Sequence, residues 1–294
     1  EKNTVSFNAG KTFDNGFSAR ATANYVRTES AGRPSQGSND PNILTSKING
    51  LPRTVSIEDL KNNYVDEAGN QIGMDGDRTV NNPFWIINFN RFTNSVERVY
   101  GSFTVMYDPF DWLNITNRIG TDFFTEERRH VTRKGTLGAL DGRFYTRDLF
   151  RREVNNDLMI TLNKQFTPDI DVKLMVGHNV NQIHWRRSRT DCVGLTIDQL
   201  YTYTNATSKS PTNFQSLRRL YGVYADLSFS YKNFLFLSAT GRNDWSSTLP
   251  EDNQSYFYPS VSAGLIFTEL LPKNNILSYG KLRLNWANVG SDEA

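Results

Sequence analysis

The sequence predicts an all-β fold, a transmembrane antiparallel β-barrel, on three observations. Apolar and polar residues alternate with a period of two along several segments, which indicates extended strands with one apolar and one polar face. These segments come in pairs, and many exceed the ~5–6 residues of a typical strand in a globular sheet. Short and long connections alternate along the chain, as they do in outer-membrane barrels.

The composition favours a thin wall over a thick core. Only 37% of the 294 residues are hydrophobic, whereas 13% are aromatic. Soluble domains average ~45–50% apolar residues when glycine is counted. No segment approaches the ~18 consecutive apolar residues of a membrane helix. The net charge of +2 gives no indication of a nucleic-acid partner, and the single cysteine, Cys192, excludes an internal disulfide.

Five strand pairs, about ten strands in all, account for the alternation. The clearest strand covers residues 221–232, and a turn at Lys232 and Asn233 leads to its partner at Leu235. The other predicted pairs are 4–9 with 16–28, 95–107 with 112–125, 153–166 with 170–184, and 256–268 with 278–289. The long loops are predicted at 29–93, 127–152, 185–214 and 246–255, with a short helical turn at SIEDLKNN in the first.

These strands separate two environments, which we predict to be lipid and a water-filled lumen. Strands that cross a bilayer must close into a ring, because an unpaired edge would leave backbone groups without hydrogen bonds in hydrocarbon. Tyr107, Tyr221, Tyr231 and Trp286 would suit the aromatic girdles at the membrane interfaces. The alternative is a soluble sandwich or propeller, whose strands also alternate but which predicts shorter strands and no regular order of loops.

Three segments resemble the SusC/RagA-like TonB-dependent transporters. The matching motifs are Asn82-Pro83-Phe84-Trp85, Pro109, Trp112-Leu113 and Arg118-Ile119-Gly120-Thr121-Asp122 in the first segment, Gly241-Arg242-Asn243-Asp244, Ser246-Ser247 and Tyr258-Pro259-Ser260-Val261-Ser262 in the second, and KLRLNWANVGSD in the third. The resemblance is firm over residues 82–129 and 221–292 and weaker elsewhere. Several motifs in the order of the family are more specific than any one of them.

The resemblance implies a multi-pass protein of the bacterial outer membrane, of the Bacteroidetes type. Such proteins import nutrients, here glycan or peptide oligomers, through a plugged barrel of roughly 22 strands. Residues 1–294 would then be part of the β-barrel domain, with the plug, the N-terminal extension, the TonB box and the C-terminal strands outside this chain.

The resemblance also implies partners. These are a SusD-like surface lipoprotein that lids the mouth, the TonB complex, and the lipid and lipopolysaccharide of the outer membrane. The alternative is a non-transport outer-membrane barrel, serving as a structural or secretion-assembly component. A plug and a TonB box in the same protein would favour import.

No catalytic residue and no resident cofactor are predicted. His178 and His184 lie six residues apart on one strand face, about 20 Å at ~3.3 Å per residue, too far apart to share a metal. Asp66, Asp75 and Asp77 in the first long loop could chelate a calcium ion, although acidic residues also form turns without metal.

Arginine-rich segments supply candidate binding residues. One such segment runs from Arg128 to Arg152 and contains Arg129, Arg133 and Arg143. The other is Trp185-Arg186-Arg187-Ser188-Arg189, with Trp185 and Arg187 as its candidates. Guanidinium groups bind carboxylates and phosphates through paired hydrogen bonds. These arginines could therefore hold acidic substrate groups or lipopolysaccharide phosphates, or pair with loop carboxylates or the lid protein.

Other candidates combine aromatic rings with a charge pair. Arg242, Asp244 and Trp245 are assigned to the lumen face near one strand end, either to meet solute or, for the two charges, to form a structural ion pair. Trp85 and Tyr145 are loop aromatics that could stack on a sugar ring.

Overall fold

Ten strands form one antiparallel sheet in which the order along the sheet is the order along the chain. The computed structural model describes residues 1–32, 53–74, 80–272 and 277–290. The strands are β1 Lys2–Thr12, β2 Phe17–Ala31, β3 Phe92–Phe110, β4 Leu113–Thr132, β5 Arg143–Thr167, β6 Ile170–Leu195, β7 Ala206–Tyr231, β8 Leu235–Ser246, β9 Ser255–Ile266 and β10 Lys281–Ala287. Helices α1, Ile57–Asn62, and α2, Pro83–Phe89, lie between β2 and β3.

The strand register confirms the predicted apolar face. Leu174 of β6 lies opposite Leu227 of β7, and the same row continues through Ala239, Val261 and Trp286 on the next three strands. Residues directly opposite in an antiparallel ladder share a face. The apolar residues predicted on each strand therefore lie on one common face of the sheet. This face is exposed in the chain, since Leu227, Val261 and Trp286 are 46%, 50% and 58% exposed.

The opposite face is polar along a matching row. Lys173, Ser228, Ser238, Ser262 and Asn285 occupy successive strands at one level. The hydroxyl groups of Ser238 and Ser262 are 2.6 Å apart and share a hydrogen bond. Neighbouring strands therefore satisfy one another's polar side chains on this face.

The five pairs are confirmed; the first four have short turns, whereas residues 267–280 connect β9 to β10. Lys232 and Asn233 have φ angles of 47° and 57°, the left-handed conformation, within the three-residue connection 232–234 between β7 and β8. Helix α1 confirms the helical turn predicted at SIEDLKNN. The sequence patterns did not indicate α2, which begins at Pro83 and is capped by Asn82, whose side chain accepts a hydrogen bond from the Phe84 amide at 2.9 Å.

Two of the predicted long loops are wrong in extent. Most of 127–152 and 185–214 is strand, and the connections shrink to residues 133–142 and 196–205. These segments carry polar residues on both faces, so the contrast that reveals a strand in sequence is lost there. Their strands are recognised instead from register, since β5, β6 and β7 pair along nearly their whole length.

The sheet is open in this chain. Within the described residues, β1 pairs with β2 and β10 with β9, and the two edge strands do not meet. No helix in the described ranges is both long and apolar enough to span a membrane. Asp75 and Asp77 of the proposed calcium site lie outside the described residues.

Candidate functional site

Four strands continue well past the apolar band. On the apolar face of β6, Leu174, Val176 and Val180 are followed by Gln182, His184 and Arg186. Strands of 25 and 26 residues such as β5 and β6 are more than twice the ~9–11 residues that a tilted strand needs to cross a bilayer. We call the continuation the extension; it comprises residues 126–132, 143–152, 184–195 and 206–217. It lies at the end opposite the short turns, the extracellular end in outer-membrane barrels.

Three arginines form a row across the extension. Arg128 of β4 lies opposite Arg147 of β5, and Arg147 lies opposite Arg189 of β6. All three lie on the polar face, because Arg147 is an even number of residues from Asp157 on β5 and the other two lie directly opposite Arg147. Side chains directly opposite in a ladder have Cβ atoms about 4.5–5.5 Å apart, where like charges repel. This arginine row therefore concentrates positive charge on the lumen side.

The outer two members of the row have carboxylate partners. Arg128 donates to both oxygens of Glu126, at 2.5 and 2.8 Å. Arg189 donates to both oxygens of Asp191, at 2.6 and 2.5 Å. Each carboxylate lies two residues from its arginine on the same strand and face, so each pair is built into one strand.

The central arginine has no such partner among the described residues. The Nε atom of Arg147 is buried without a hydrogen bond, and its guanidinium lies 5.6 Å from the ring centre of Tyr145. Burial and the neighbouring charge of Arg189 lower the pKa of Arg147 from its ordinary value. Arg147 is thus a cation held close to other cations, with donor capacity to spare.

Four of the predicted site residues lie on the polar face of the extension. Tyr145 contacts Arg189, whose guanidinium carbon is 4.2 Å from the ring centre. Arg187 lies over the ring of Phe214 at 5.6 Å, and Trp185 meets Phe124 edge-on. Arg143 belongs to the same face, opposite Val193. The structure therefore brings Arg143, Tyr145, Trp185 and Arg187 together around the arginine row.

Arg129 and Arg133 lie elsewhere and contact the protein itself. Arg129 is on the apolar-face side of β4 and donates to the backbone oxygen of Tyr201 at 2.5 Å. Arg133 donates to Asp198 at 2.8 Å. Both contacts fasten residues 196–205 against the extension, over a small core that includes Phe144.

Tyr201 lies in the connection 196–205, which covers this small core. Its side chain packs against the core formed by Val131, Phe144, Cys192, Leu195 and Ala206. Burial raises the pKa of Tyr201 to about 12. Burial likewise raises the pKa of the Cys192 thiol, which keeps this cysteine unreactive at neutral pH.

Trp85 is fully buried beneath the same connections. Its indole Nε1 donates to the hydroxyl of Thr136 at 2.8 Å, and the guanidinium of Arg133 lies 4.7 Å from its ring centre. With 0% of its surface exposed, the ring is not presented to a solute. Trp85 anchors α2 to residues 133–142.

The register corrects the grouping of Arg242, Asp244 and Trp245. Arg242 and Asp244 share the polar face and form an ion pair, with Nε 2.7 Å from Oδ1. Trp245 lies opposite Tyr221 on the apolar face. A strand turns successive side chains to opposite sides, so Trp245 is placed for the membrane interface and the charge pair for the lumen.

Sequence analysis missed a polar network centred on Asp157. This carboxylate, 8% exposed, accepts hydrogen bonds from Arg118 at 2.8 Å, Asn155 at 2.9 Å and Asn179 at 2.6 Å. The only signal in the sequence is that Asn155 and Asp157 lie two residues apart and therefore face the same side of β5. The strand register is needed to show that Arg118 and Asn179 face that side as well.

We expect Asp157→Ala to lower the free energy of unfolding by about 1–3 kcal/mol, because three donors lose their shared acceptor. Arg118 keeps contact with water, since its side chain is 54% exposed, which limits the loss. Urea unfolding in detergent measures the effect. Asp157→Asn retains an acceptor and should cost less; equal losses for both variants would contradict this assignment.

Glu126 should make the extension sensitive to acid. Burial acts to raise the pKa of Glu126, but hydrogen bonds from Arg128 and Asn94 and the charge of Arg128 outweigh it, so the pKa lies below its ordinary 4.5. The carboxylate therefore stabilises the fold above about pH 4.5, and this contribution is lost as the pH falls through the lower, folded-state pKa. Urea midpoints from pH 7 to pH 3 should fall more steeply for the native protein than for Glu126→Gln.

No group of three or more His, Cys, Asp or Glu side chains within the described ranges is placed to hold a metal ion. His178 and His184 lie on the apolar-face side of β6, opposite Val223 and Leu217. The surface is instead a wall of hydrogen-bond donors and aromatic rings, which suits binding and passage of a solute.

Comparison with known proteins shows which proteins the chain is similar to in sequence and in fold. "TonB-dependent receptor P26" of Formosa agariphila is 24% identical over 193 residues, which are 63% of this chain and 19% of that protein. The RagAB peptide transporter matches 97% of this chain and 32% of its own, with a TM-score of 0.71 and 13% identity. No family model matches the chain.

A second solved structure has the same architecture. BauA, the ferric preacinetobactin receptor from Acinetobacter baumannii, covers 90% of this chain and 37% of its own, with a TM-score of 0.54 and 11% identity. At such identities the structural likeness concerns the fold alone. The chain spans about a fifth of the curated relative and about a third of the RagAB chain. Its register and these similarities show that the chain folds like part of the β-barrel of TonB-dependent receptors of the outer membrane, and in its motifs it resembles the SusC/RagA-like members.

Proposed function

We propose that the protein to which this chain belongs imports nutrient oligomers, glycans or peptides, across the outer membrane. A SusD-like lipoprotein would close the extracellular mouth, and the TonB complex would supply the energy. The proposal requires a plug and a TonB box elsewhere in the protein, and enough further strands to close a barrel of roughly 22.

The observation that carries the proposal is the continuous polar face. On β6 it runs from Lys173 through Asn179 and Asn181 into Arg187 and Arg189 of the extension. A barrel that only anchors another protein needs an apolar exterior but no such lining from end to end. The name of the RagAB peptide importer, solved in "open-open" and "closed-closed" states, supports a gated passage of this kind.

In this mechanism the chain binds and guides, and it performs no covalent step. The relatives are receptors and transporters. Polar side chains of the wall replace the water around a solute, while pairs such as Ser238 with Ser262 are satisfied within the wall. A wall whose groups are already hydrogen-bonded presents weak, repeated contacts, which allow a solute to move on.

Uptake in the native bacterium tests the proposal. Cells lacking the gene, complemented with the full-length protein, should take up a mixture of fluorescent oligosaccharides and oligopeptides, and dissipating the inner-membrane proton gradient should abolish this uptake. Growth and uptake that are the same with and without the gene, together with a defect in surface display or secretion, would favour the structural or secretion-assembly alternative.

A further inference from the structure

The arginine row is unusual because no described carboxylate is hydrogen-bonded to its central member. Glu126 and Asp191 neutralise Arg128 and Arg189. Arg147 stands between them with a buried Nε that has no partner. Three cations at one level against two carboxylates leave a net positive charge on the lumen side of the extension.

Aromatic rings hold the cations in place. Arg189 and Arg147 lie 4.2 and 5.6 Å from the ring centre of Tyr145, and Arg187, diagonal to Arg147, lies over Phe214. A guanidinium stacked on a ring keeps its in-plane N–H donors available, and these donors match the paired oxygens of an oxyanion. The rings thus orient donors without consuming them.

The face of the sheet determines which anions can reach the row. Lipopolysaccharide surrounds a barrel on its outside, and on that side of the extension lie two other arginines, Arg152 and Arg186. The arginine row points to the opposite side, along the path of a solute. Lipopolysaccharide phosphates are therefore available to the outward set and not to the row.

We propose that Arg147, flanked by Arg128, Arg187 and Arg189, binds an oxyanion group of the imported oligomer, a carboxylate, sulfate or phosphate, at the entrance to the lumen. This assignment of substrate class rests on the proposed function. A single charged oxygen pair would complete the hydrogen bonding of Arg147 and offset the repulsion along the row. The bound group can be released again, because only one arginine of the row lacks a carboxylate of its own and the site therefore holds the anion through a single arginine.

Binding to the full-length receptor, purified in detergent with its lipoprotein partner, tests the assignment. The probes are a carboxylated, a sulfated and a neutral oligosaccharide of equal length, and an acidic oligopeptide with its glutamine counterpart. Arg147→Gln should weaken binding of at least one anionic probe about tenfold or more, which corresponds to loss of a charge-assisted hydrogen bond, and should leave the neutral probes within about twofold.

Arg186→Gln is the matched control. Arg186 lies one residue from Arg187 on the same strand, on the outward face, over the ring of Phe150 at 4.6 Å. It should leave binding of every probe unchanged but reduce co-purification of lipopolysaccharide. Arg147→Lys, which keeps the charge but loses the paired donors, should recover part of the affinity.

Three results would overturn the assignment: an equal loss for anionic and neutral probes, unchanged binding of all anionic probes, or a loss of lipoprotein association in place of probe binding. Uptake separates this failure from failure of the proposed function. If import of a neutral oligomer still depends on the proton gradient, but substitution of Arg147 leaves the binding of anionic probes unchanged, the proposed import function is retained and the oxyanion site is rejected.

Discussion

Leu227→Arg will lower the free energy of unfolding by about 2–4 kcal/mol, the cost of an arginine at the middle of a lipid-facing strand. Leu227 lies within the apolar row between Leu174 and Ala239 and is 46% exposed. The charge must either remain in hydrocarbon or draw water into the bilayer. Urea titration of the full-length protein folded into lipid vesicles measures the loss.

Ser228→Arg is the control for this prediction. Ser228 is the next residue of the same strand, faces the other side, and donates to Asp226 at 3.0 Å. An arginine there would meet water, the Asp226 carboxylate and the Lys173 ammonium of the opposite strand, whose charges offset one another, so we expect a change within about 0.5 kcal/mol. If the two variants are destabilised equally, the two faces of β7 do not differ in environment.

Gly101→Ala will lower the free energy of unfolding by about 1–3 kcal/mol, a cost typical of overpacking. A Cβ at Gly101 would press on the carbonyl oxygen of Thr22 and lie 3.0 Å from the Cα of Ala23, both in the neighbouring strand β2. Backbone atoms cannot rotate away as a side-chain tip can. The expected result is a local separation of β2 from β3, measured as loss of stability and faster amide exchange in β2.

Gly120→Ala provides the comparison, with the opposite sign. A Cβ at Gly120 would have the carbonyl oxygen of Gly101 as its nearest neighbour at 3.7 Å, an ordinary contact. Replacing glycine within a strand without strain reduces the freedom of the unfolded chain, which stabilises by about 0.4–1 kcal/mol. Destabilisation of similar size at both positions would mean that the close approach at Gly101 is not the cause.

The fold was predictable where one face of a strand meets lipid. Leu227 and Val261 contrast with Ser228 and Ser262, and this contrast indicates the strands and their two faces, while the short turns indicate which strands pair. In the extension both faces carry polar residues, so the sequence pattern predicted loops at residues 127–152 and 185–214. Helix α2 was missed because seven residues are too few for a helical period to be visible.

The candidate site was predictable in composition but not in arrangement. Arginine-rich segments were identified, yet Arg129 and Arg187 could not be told apart, although they face opposite sides of the sheet. The importance of Arg147 depends on which residues lie opposite it, and a single strand carries no information about its neighbours. Trp85 shows the same limit, since its burial results from contacts with Thr136, 51 residues away.

Accessibility of spin labels tests the central assignment, that one face of this sheet meets hydrocarbon and the other meets water. Cys192 would be replaced by alanine, and single cysteines placed at Leu227, Val261, Ser228 and Ser262 in the full-length protein in lipid vesicles. We predict that labels at the first two positions collide with oxygen and not with a water-soluble nickel complex, and that labels at the other two show the reverse. Equal collision with the nickel complex at all four positions would contradict the account.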